Sequence, residues 1–264
     1  FQKIETNYPT VGDNNLLIVL VSFADRAFTY TREDFDSLTS QPGYNRNGAT
    51  GSVKDYYYDV SFGSLNLNPT VVGPYTLSQP MAYYGATGPS FSDVNPKEMV
   101  SEACALADND VDFSQFDMNN DGIVDAVHVI FAGAGEASTG ESDAIWPHRW
   151  SIYSYDSLDI DFDGVRLKDY SCSAEKMGSG MDGIGTICHE FGHVLGLPDL
   201  YDTDYEGSGG QATAVNAWSI MASGSYNNYS NTPASFTAYE KYRLNWLQLD
   251  TLSLAGEYVL PPLM

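Results

Sequence analysis

The sequence contains HEFGHVLGLPD at residues 189–199, an H-E-x-x-H motif followed by a glycine, a proline and an aspartate. On a helix that turns about 100° per residue, His189 and His193 lie about 40° apart and leave the same face. Six apolar side chains fall on the opposite face: Ile184, Ile187, Cys188, Phe191, Val194 and Leu195. The pattern therefore predicts a helix from Asp182 to Leu195 that packs on one side and presents two nitrogen ligands to a cleft on the other. Zinc binds such nitrogens at about 2.0–2.1 Å.

The residues after His193 predict a turn that supplies a third zinc ligand. Gly196 can adopt the positive φ that ends a helix, and Pro198 cannot continue one. The chain must reverse there, so Asp199 swings back towards the histidines. This is the spacing of the extended zincin motif, with aspartate in place of the third histidine. A downstream glutamate, for example Glu240, is the alternative third ligand.

Glu190 lies on the flank of the histidine face and indicates what the site does. In a zinc peptidase the metal polarises the scissile carbonyl and lowers the pKa of its bound water towards about 7. Glu190 would take the proton of that water and deliver it to the leaving amine. A catalytically inactive metal-binding or adhesin-like module is one alternative, although it has no need of Glu190. A different enzyme class, such as a zinc amidase, is another.

Four further residues are candidates for supporting roles. Met221, in the segment WSIMASG, is either a soft apolar floor beneath the ligands or a packing residue. His148, in the segment WPHRW, is either a substrate or transition-state contact or a structural histidine between aromatic rings. Tyr226 and Tyr229 are both candidates for stabilising an oxyanion.

These motifs resemble the M6 family of secreted bacterial metallopeptidases, the immune-inhibitor-A type. The specific parts of the resemblance are HEFGHVLGLPDLYD at 189–202 and WSIMASG at 218–224. Supporting segments are GSVKDYYYDVSFGSL at 51–65, VVGPY at 71–75, YYG at 83–85, DMNNDGIVDAVHVIFAGAGE at 117–136 and IWPHRW at 145–150.

The resemblance implies a zinc endopeptidase that acts on extracellular proteins or peptides. It also implies calcium sites, a metzincin-like lower half with Met221 in a Met-turn, and secretion as a larger precursor with a signal peptide and a propeptide. One position departs from the pattern. Many metzincins have a tyrosine two residues after the turn methionine, whereas this chain has Ser223. The identity of an oxyanion-stabilising tyrosine therefore stays open.

A second group of residues predicts a structural calcium site. The spacing D-x-N-x-D-G matches the first half of an EF-hand loop. Its candidate ligands are Asp117, Asn119, Asp121, the Ile123 carbonyl and Asp125. Position twelve is His128 rather than glutamate, so the segment is not an EF-hand, and a solvated turn is the alternative. A further acidic cluster comprises Asp202, Asp204 and Glu206.

Composition bounds the protein class. The chain has 264 residues, 35 acidic against 12 basic side chains, a net charge of -23 and 43% apolar residues. Such a charge repels nucleic-acid phosphates, and the longest apolar run, Leu16–Phe23, is far shorter than the ~20 residues of a membrane span. We therefore expect an extracellular protein that binds no nucleic acid and does not insert into a membrane. We also expect a monomer. The three cysteines predict no disulfide framework.

The pattern of elements predicts an α+β fold with a twisted mixed sheet. Expected strands are Leu16–Phe23 (buried), Leu65–Val72 (at an edge) and Val124–Ala132. Besides the zinc helix, expected helices are Val53–Asp59 capped by Ser52, Pro96–Ala107 capped by Asn95, and Ala234–Leu247. We expect one catalytic domain over 1–264, with an upper part at 1–196 and an irregular lower part at 197–264. The final EYVLPPLM resembles a strand cut short, so we also expect a further C-terminal domain.

Overall fold

The computed structural model describes residues 6–88, 92–152, 158–204, 206–212, 214–250 and 254–259. Within these ranges the chain forms a mixed α+β structure around a twisted mixed sheet. The strands are β1 (Gly12–Ser22), β2 (Leu65–Thr76), β3 (Ile123–Val124), β4 (Val127–Ala134), β5 (His148–Ser151), β6 (Asp161–Phe162), β7 (Val165–Leu167), β8 (Asp169–Met177) and β9 (Gly180–Met181).

The main sheet has the order β2-β1-β4-β8-β5, and β9 pairs with β8. The first four strands are parallel, whereas β5 and β9 run antiparallel to β8. The small strands β3, β7 and β6 form a separate sheet. As expected, β2 lies at an edge, where Pro69 removes one donor without breaking the interior of the sheet.

The expected buried strand is confirmed as β1, because it contributes to a core on each face of the sheet. Leu16, Ile18 and Leu20 belong to one apolar cluster, and the alternating Leu17, Val19 and Val21 belong to the other. This two-sided burial explains why the strand is a continuous apolar run rather than an alternating one.

Helices cover both faces of the sheet. They are α1 (Arg32–Ser40), α2 (Val53–Val60), α3 (Met81–Gly85), α4 (Pro96–Ala107), α5 (Glu136–Thr139), α6 (Ile184–Val194) and α7 (Ala238–Arg243). The apolar sides of α2 and α6 join the cluster that contains Leu16, whereas α4 joins the cluster that contains Leu17. The histidine motif lies on α6.

Two of the expected helices match closely. Ser52 caps α2 by accepting the Asp55 N–H at 3.2 Å, and the Asp55 carboxylate accepts the Ser52 N–H in return. The bounds of α4 are those expected, but Asn95 makes no side-chain cap; its amide donates instead to the Tyr83 carbonyl at 2.7 Å.

The expected C-terminal helix, 234–247, was too long. It is only Ala238–Arg243, because the capping box of Thr237 and Glu240 starts it four residues later than the expected start. Asn245 has φ +66° and ends it, with the Trp246 N–H bonded to the Lys241 carbonyl at 2.9 Å. This is the Schellman pattern with asparagine in the left-handed position.

The expected strand 124–132 is divided in two. Val124 belongs to β3 in the small sheet, and β4 begins only at Val127. Asp125 lies between them, with its N–H bonded to the Phe116 carbonyl and its carboxylate bonded to the Met118 N–H. The chain is therefore held away from the main sheet at this residue.

The remaining observations concern the C-terminal segment, the cysteines and helices that could cross a membrane. The terminal strand expected at 257–264 falls partly outside the described residues, and residues 257–259 form no strand. Cys104, Cys172 and Cys188 are buried and free. In the described part of the chain, no helix has the length and apolarity that crossing a bilayer requires.

Candidate metal centre and active-site cleft

Helix α6 ends where the sequence predicts, in a turn built on Gly196. This residue has φ +86°, and the Leu197 N–H donates to the Gly192 carbonyl at 3.1 Å while the Gly196 N–H donates to the His193 carbonyl at 2.9 Å. The two bonds form a Schellman motif, which requires a left-handed residue at this position. The chain reverses there and returns Asp199 to the histidine face of the helix.

Each histidine of the motif is oriented by a backbone carbonyl. His189 Nδ1 lies 2.7 Å from the Ile220 carbonyl oxygen, and His193 Nδ1 lies 2.7 Å from the Leu197 carbonyl oxygen. A carbonyl only accepts, so both Nδ1 atoms carry the hydrogen and both Nε2 atoms of the neutral rings present lone pairs. This is the ring orientation of metal-binding histidines.

Asp199 completes a three-donor arrangement. Its Oδ1 lies 3.3 Å from His189 Nε2 and 3.2 Å from His193 Nε2. The edge of a zinc tetrahedron with bonds of about 2.05 Å is about 3.3 Å long. Asp199 Oδ1 is buried and accepts no hydrogen bond from the described residues. When both imidazoles are neutral, these three electron-pair donors face one another and fit a cation at their centre, and the set of two imidazoles and a carboxylate suits zinc.

The electrostatics of this group also favour positive charge. Burial opposes protonation of His189, but its contact with Asp199, the charge of Glu190 and the Ile220 carbonyl outweigh burial and raise the pKa of His189. Burial likewise opposes ionisation of Asp199, yet the two histidines hold the pKa of its carboxyl far below the usual range. Asp199 is therefore ionised at neutral pH.

Glu190 is a second carboxylate within reach of the histidines. One potential ligand atom from each of His189, Glu190 and His193 lies within 4.8 Å of the others. Asp199 Oδ1 lies 3.2–3.3 Å from both Nε2 atoms, which makes Asp199 a candidate for the third ligand position, with Glu190 beside the histidines. Burial raises the pKa of Glu190, while the histidine charges oppose that shift.

Met221 lies directly behind the metal-binding helix. Its side chain is fully buried, and a Cβ atom at Gly192 would approach its Sδ to 2.5 Å. The preceding Ile220 supplies the carbonyl that orients His189. The segment around Met221 therefore both packs against α6 and holds one of its histidines.

Glu240, the alternative third ligand, is engaged elsewhere. Its Oε2 accepts the Thr237 N–H at 2.6 Å and the Ser219 hydroxyl at 3.1 Å. The Ser219 hydroxyl in turn accepts the Met221 N–H at 3.1 Å. This buried carboxylate thus braces the segment that carries Ile220 and Met221.

An open cleft of about 720 Å³ runs past the three donors and Glu190. His148 lines it, but both of its ring nitrogens already have partners: the Trp146 carbonyl at 2.6 Å and the Tyr170 hydroxyl at 2.8 Å. Tyr226 also lines the cleft, and burial together with the charge of Glu190 raises the pKa of Tyr226. Tyr229 lines a neighbouring cavity instead.

Sequence reasoning did not find Tyr201, which also lines the cleft. Burial and the charge of Asp199 raise the pKa of Tyr201, so its phenol stays protonated. Its position two residues after Asp199 was the only available signal, since an aromatic residue in an irregular loop has no periodicity to interpret.

Comparison with known proteins assigns the family. The model of the immune inhibitor A peptidase M6 catalytic domain matches residues 11–253 of this chain. The chain belongs to the M6 peptidase family.

Two relatives agree with this assignment. The chain is 32% identical over 254 residues to the pre-pro-metalloprotease PrtV of Vibrio cholerae, which covers 83% of this chain and 27% of that protein. It is 33% identical over 276 residues to immune inhibitor A of Bacillus thuringiensis subsp. alesti, which covers 88% of this chain and 39% of that protein. The chain thus spans well under half the length of these M6 relatives.

The acidic segment 117–125 of this M6 domain forms a closed turn. The Asp117 carboxylate accepts the N–H groups of Asp121 and Gly122 at 3.0 and 2.9 Å, and Asp121 accepts that of Ile123 at 3.0 Å. Burial, together with the charges of Asp117 and Asp121, raises the pKa of Asp125 to about 7. Calcium binding here stays a prediction, because these oxygens already accept backbone N–H groups.

In the second acidic cluster of the M6 domain, Asp204 and Glu206 are exposed and Asp202 is half-buried. Asp202 accepts the Ala212 N–H at 2.6 Å and the Asp204 N–H at 3.3 Å. Among the described residues, the group of possible metal ligands found around His189, Glu190 and His193 includes none of these acidic residues. A calcium role for Asp202, Asp204 and Glu206 likewise stays a prediction.

Proposed function

We propose that this M6 domain is a zinc endopeptidase that hydrolyses peptide bonds in extracellular proteins. The observation that carries the proposal is the convergence of His189 Nε2, His193 Nε2 and the buried Asp199 Oδ1, at 3.2–3.3 Å, on the wall of an open cleft. A bound zinc ion supplies Lewis acidity, which polarises a carbonyl and lowers the pKa of water.

Glu190 acts as the general base and then as the general acid. Its carboxylate is buried beside the three donors, and its pKa is raised by that burial. A general base works best when its pKa approaches the operating pH, because it must both accept and release a proton. Glu190 removes a proton from the attacking water and transfers it to the nitrogen of the leaving amine.

Strand β5 binds the main chain of the substrate. It is the last strand in the order of the main sheet, and all five residues from Trp146 to Trp150 line the cleft. Since alternate residues on both faces of β5 contact the cleft, the strand edge itself borders it. An extended peptide can add to such an edge through backbone hydrogen bonds.

The remaining predicted residues have supporting roles in this proposal. Tyr226 donates a hydrogen bond to the oxygen that becomes negative during attack, a role that a protonated phenol in the cleft supports. Met221 forms the apolar floor of a metzincin-like lower part. His148 contributes to the cleft wall through its ring rather than through a nitrogen, because both nitrogens are occupied.

We also propose how the domain is organised and where the protein acts. We infer one catalytic domain over 1–264 with an upper part at 1–196 and a lower part at 197–264. The lower part has few regular elements, and its described residues include α7 and two short 3-10 helices. Further proposals are a structural calcium ion at 117–125, secretion from a larger bacterial precursor, and action as a monomer.

Hydrolysis of casein or gelatin tests the proposal. Activity should be abolished by a zinc chelator and restored by added zinc, because the zinc ion supplies the Lewis acidity of the site. Glu190→Ala should be inactive although it retains zinc. Zinc-loaded protein without any peptidase activity would contradict the endopeptidase and support the inactive metal-binding module.

A further inference from the structure

A second cavity adjoins the catalytic cleft on the other side of β5. It has a volume of about 440 Å³. Three residues line both spaces: Trp146, His148 and Trp150. The opposite wall is the N-terminal end of α4 with Val94 and Leu158. The edge strand therefore separates two spaces, of which only one contains the metal donors.

The register of β5 determines which face of the sheet the cavity occupies. His148 pairs with Cys172 and Trp150 pairs with Tyr170, and paired residues point to the same face. Cys172 and Tyr170 belong to the core that packs against α4, whereas α6 packs against the other core. The cavity thus lies on the α4 face, away from the metal-binding helix.

An extended substrate along the β5 edge would reach both faces, because successive side chains of a strand alternate. Residues paired with His148 and Trp150 would point to the α4 face and enter the second cavity. We propose that this cavity is a substrate subsite for one bulky apolar or aromatic side chain. The inference rests on the proposed peptidase function and adds a side-chain preference to it.

The chemistry of the walls favours an apolar occupant. Trp146 and Trp150 are 50% and 59% exposed, and Val94 is 47% exposed. A bound apolar side chain would therefore bury large apolar surfaces. Indole rings bind other rings through offset or edge contacts. Covering a side chain of the size of Leu or Phe corresponds to at least about a tenfold gain in affinity.

The two carboxylates that line the cavity, Asp93 and Glu98, already accept hydrogen bonds. The Asp93 carboxylate accepts the Trp146 N–H at 3.2 Å, and Glu98 accepts the Tyr83 hydroxyl at 2.7 Å. Asp93 therefore holds the segment that carries Trp146 in place.

A peptide series tests the subsite. Each peptide carries a single Phe moved through an otherwise Ala-rich sequence, and kcat/KM is measured for wild-type protein, Trp150→Ala and Trp146→Ala. We expect one position, or two positions two residues apart, at which Phe raises kcat/KM at least about tenfold. That gain, taken as the ratio of kcat/KM to that of the all-Ala peptide on the same protein, should disappear in the Trp150 variant.

The matched control is Tyr58→Ala. Tyr58 is 51% exposed and lines neither the cleft nor the second cavity. Its removal should leave the preference for Phe unchanged. A wild-type protein without positional preference, or a preference that survives in both tryptophan variants, would overturn the inference.

A binding measurement separates this inference from the proposed function. Zinc-loaded Glu190→Ala protein, titrated calorimetrically with the same peptides, should bind the best Phe peptide about tenfold more tightly than the all-Ala peptide. Adding Trp150→Ala should remove that difference. If the wild-type protein binds the Phe peptide preferentially but hydrolyses nothing, the peptidase function is contradicted and the subsite is supported. If it hydrolyses the peptides without any preference for Phe, the peptidase function is supported and the subsite is contradicted.

Discussion

Asp199 and Glu190 are two carboxylates beside the same pair of histidines, and their surroundings give them different roles. Asp199 Oδ1 meets both Nε2 atoms at 3.2–3.3 Å and has no hydrogen-bond donor among the described residues. Glu190 is buried at the side of this arrangement with a raised pKa. The first suits a metal ligand and the second a proton carrier.

Changing these two residues should therefore have different consequences. Glu190→Ala should retain zinc while its activity falls by about 10²–10⁴-fold, the usual contribution of general acid–base catalysis. Asp199→Ala should bind zinc at least about 100-fold more weakly, since losing a direct ligand costs more than losing a group that orients one. Zinc content after dialysis and casein hydrolysis with added zinc measure the two effects.

The outcome that contradicts this assignment is specific. Added zinc should partly restore Asp199→Ala and do nothing for Glu190→Ala. Normal zinc content in Asp199→Ala, together with reduced content in Glu240→Ala, would make Glu240 the third ligand instead.

Asp182 is a buried residue just before α6, and ionisation of its carboxyl destabilises the folded state. Burial raises its pKa to about 7, against about 3.9 in an unfolded chain. Between these values the folded state keeps a proton that the unfolded state has lost, so the free energy of unfolding falls as pH rises from about 4 to about 7. Asparagine cannot ionise, so Asp182→Asn should remove this decrease in the free energy of unfolding.

Denaturant unfolding at several pH values measures the effect. The stability of Asp182→Asn relative to wild type should increase with pH across that window, by up to about 1.4 kcal/mol per pH unit. Asp161→Asn is the control, because the Asp161 side chain is 73% exposed. A pH-independent difference between Asp182→Asn and wild type would show that Asp182 ionises normally.

At the scale of elements, α6 is positioned by glycines in its first turn. The Gly185 N–H donates to the Ser230 carbonyl at 2.8 Å, and a Cβ at Gly185 would overlap the Ser225 carbonyl oxygen. The absence of a side chain therefore lets the metal-binding helix lie directly on the backbone of the segment 225–230.

Alanine at Gly185 should destabilise the protein although alanine is a better helix former by about 1 kcal/mol. The forced displacement should cost about 1–3 kcal/mol, the usual range for overpacking. Gly180→Ala, where a Cβ meets nothing within 4 Å, is the control and should be close to neutral. Thermal unfolding compares the two, and equal melting temperatures would contradict the close packing.

The turn 117–125 gives a prediction for calcium. Burial, together with the charges of Asp117 and Asp121, raises the pKa of Asp125 to about 7, and a bound cation would offset those charges. If calcium binds only the native state, a calcium-selective chelator should lower the melting temperature without removing zinc. Asp121→Ala should lower it equally and abolish the response to chelator. An unchanged melting temperature in both experiments would leave the turn as a metal-free structure.

At the scale of the whole molecule, the metal site joins segments that are distant in sequence. It involves α6, the turn at Asp199 and the segment of Ile220 and Met221, which Glu240 braces from α7. Zinc binding should therefore stabilise the domain as a whole rather than the helix alone.

Removing zinc should lower the melting temperature. A ligand at 100 times its dissociation constant contributes about 2.7 kcal/mol, which corresponds to about 5–10 °C in a domain of this size. Differential scanning calorimetry with and without a zinc chelator measures the shift. Asp199→Ala should show a much smaller shift, and an equal shift in both proteins would mean that the chelator acts elsewhere.

Much of the site is local in sequence and was predictable for that reason. Helical periodicity places His189 and His193 on one face, and the Gly196 turn follows from the single residue type that tolerates φ +86°. The continuous apolar run of β1 likewise indicated a strand buried on both sides. The expected extent of the last helix was wrong, because the capping box of Thr237 and Glu240 starts it later than the expected start at Ala234.

The sequence by itself determined the family motif, the helix face that carries both histidines and the turn that returns Asp199. Only the tertiary structure decided which carbonyls orient the histidines, that Glu240 braces the Met221 segment, and that β5 borders both the cleft and the second cavity. The physical reason is the range of the interactions. Helix periodicity and turns depend on neighbours within a few residues, whereas the Ile220 carbonyl reaches His189 across 31 positions through the packing of the whole domain.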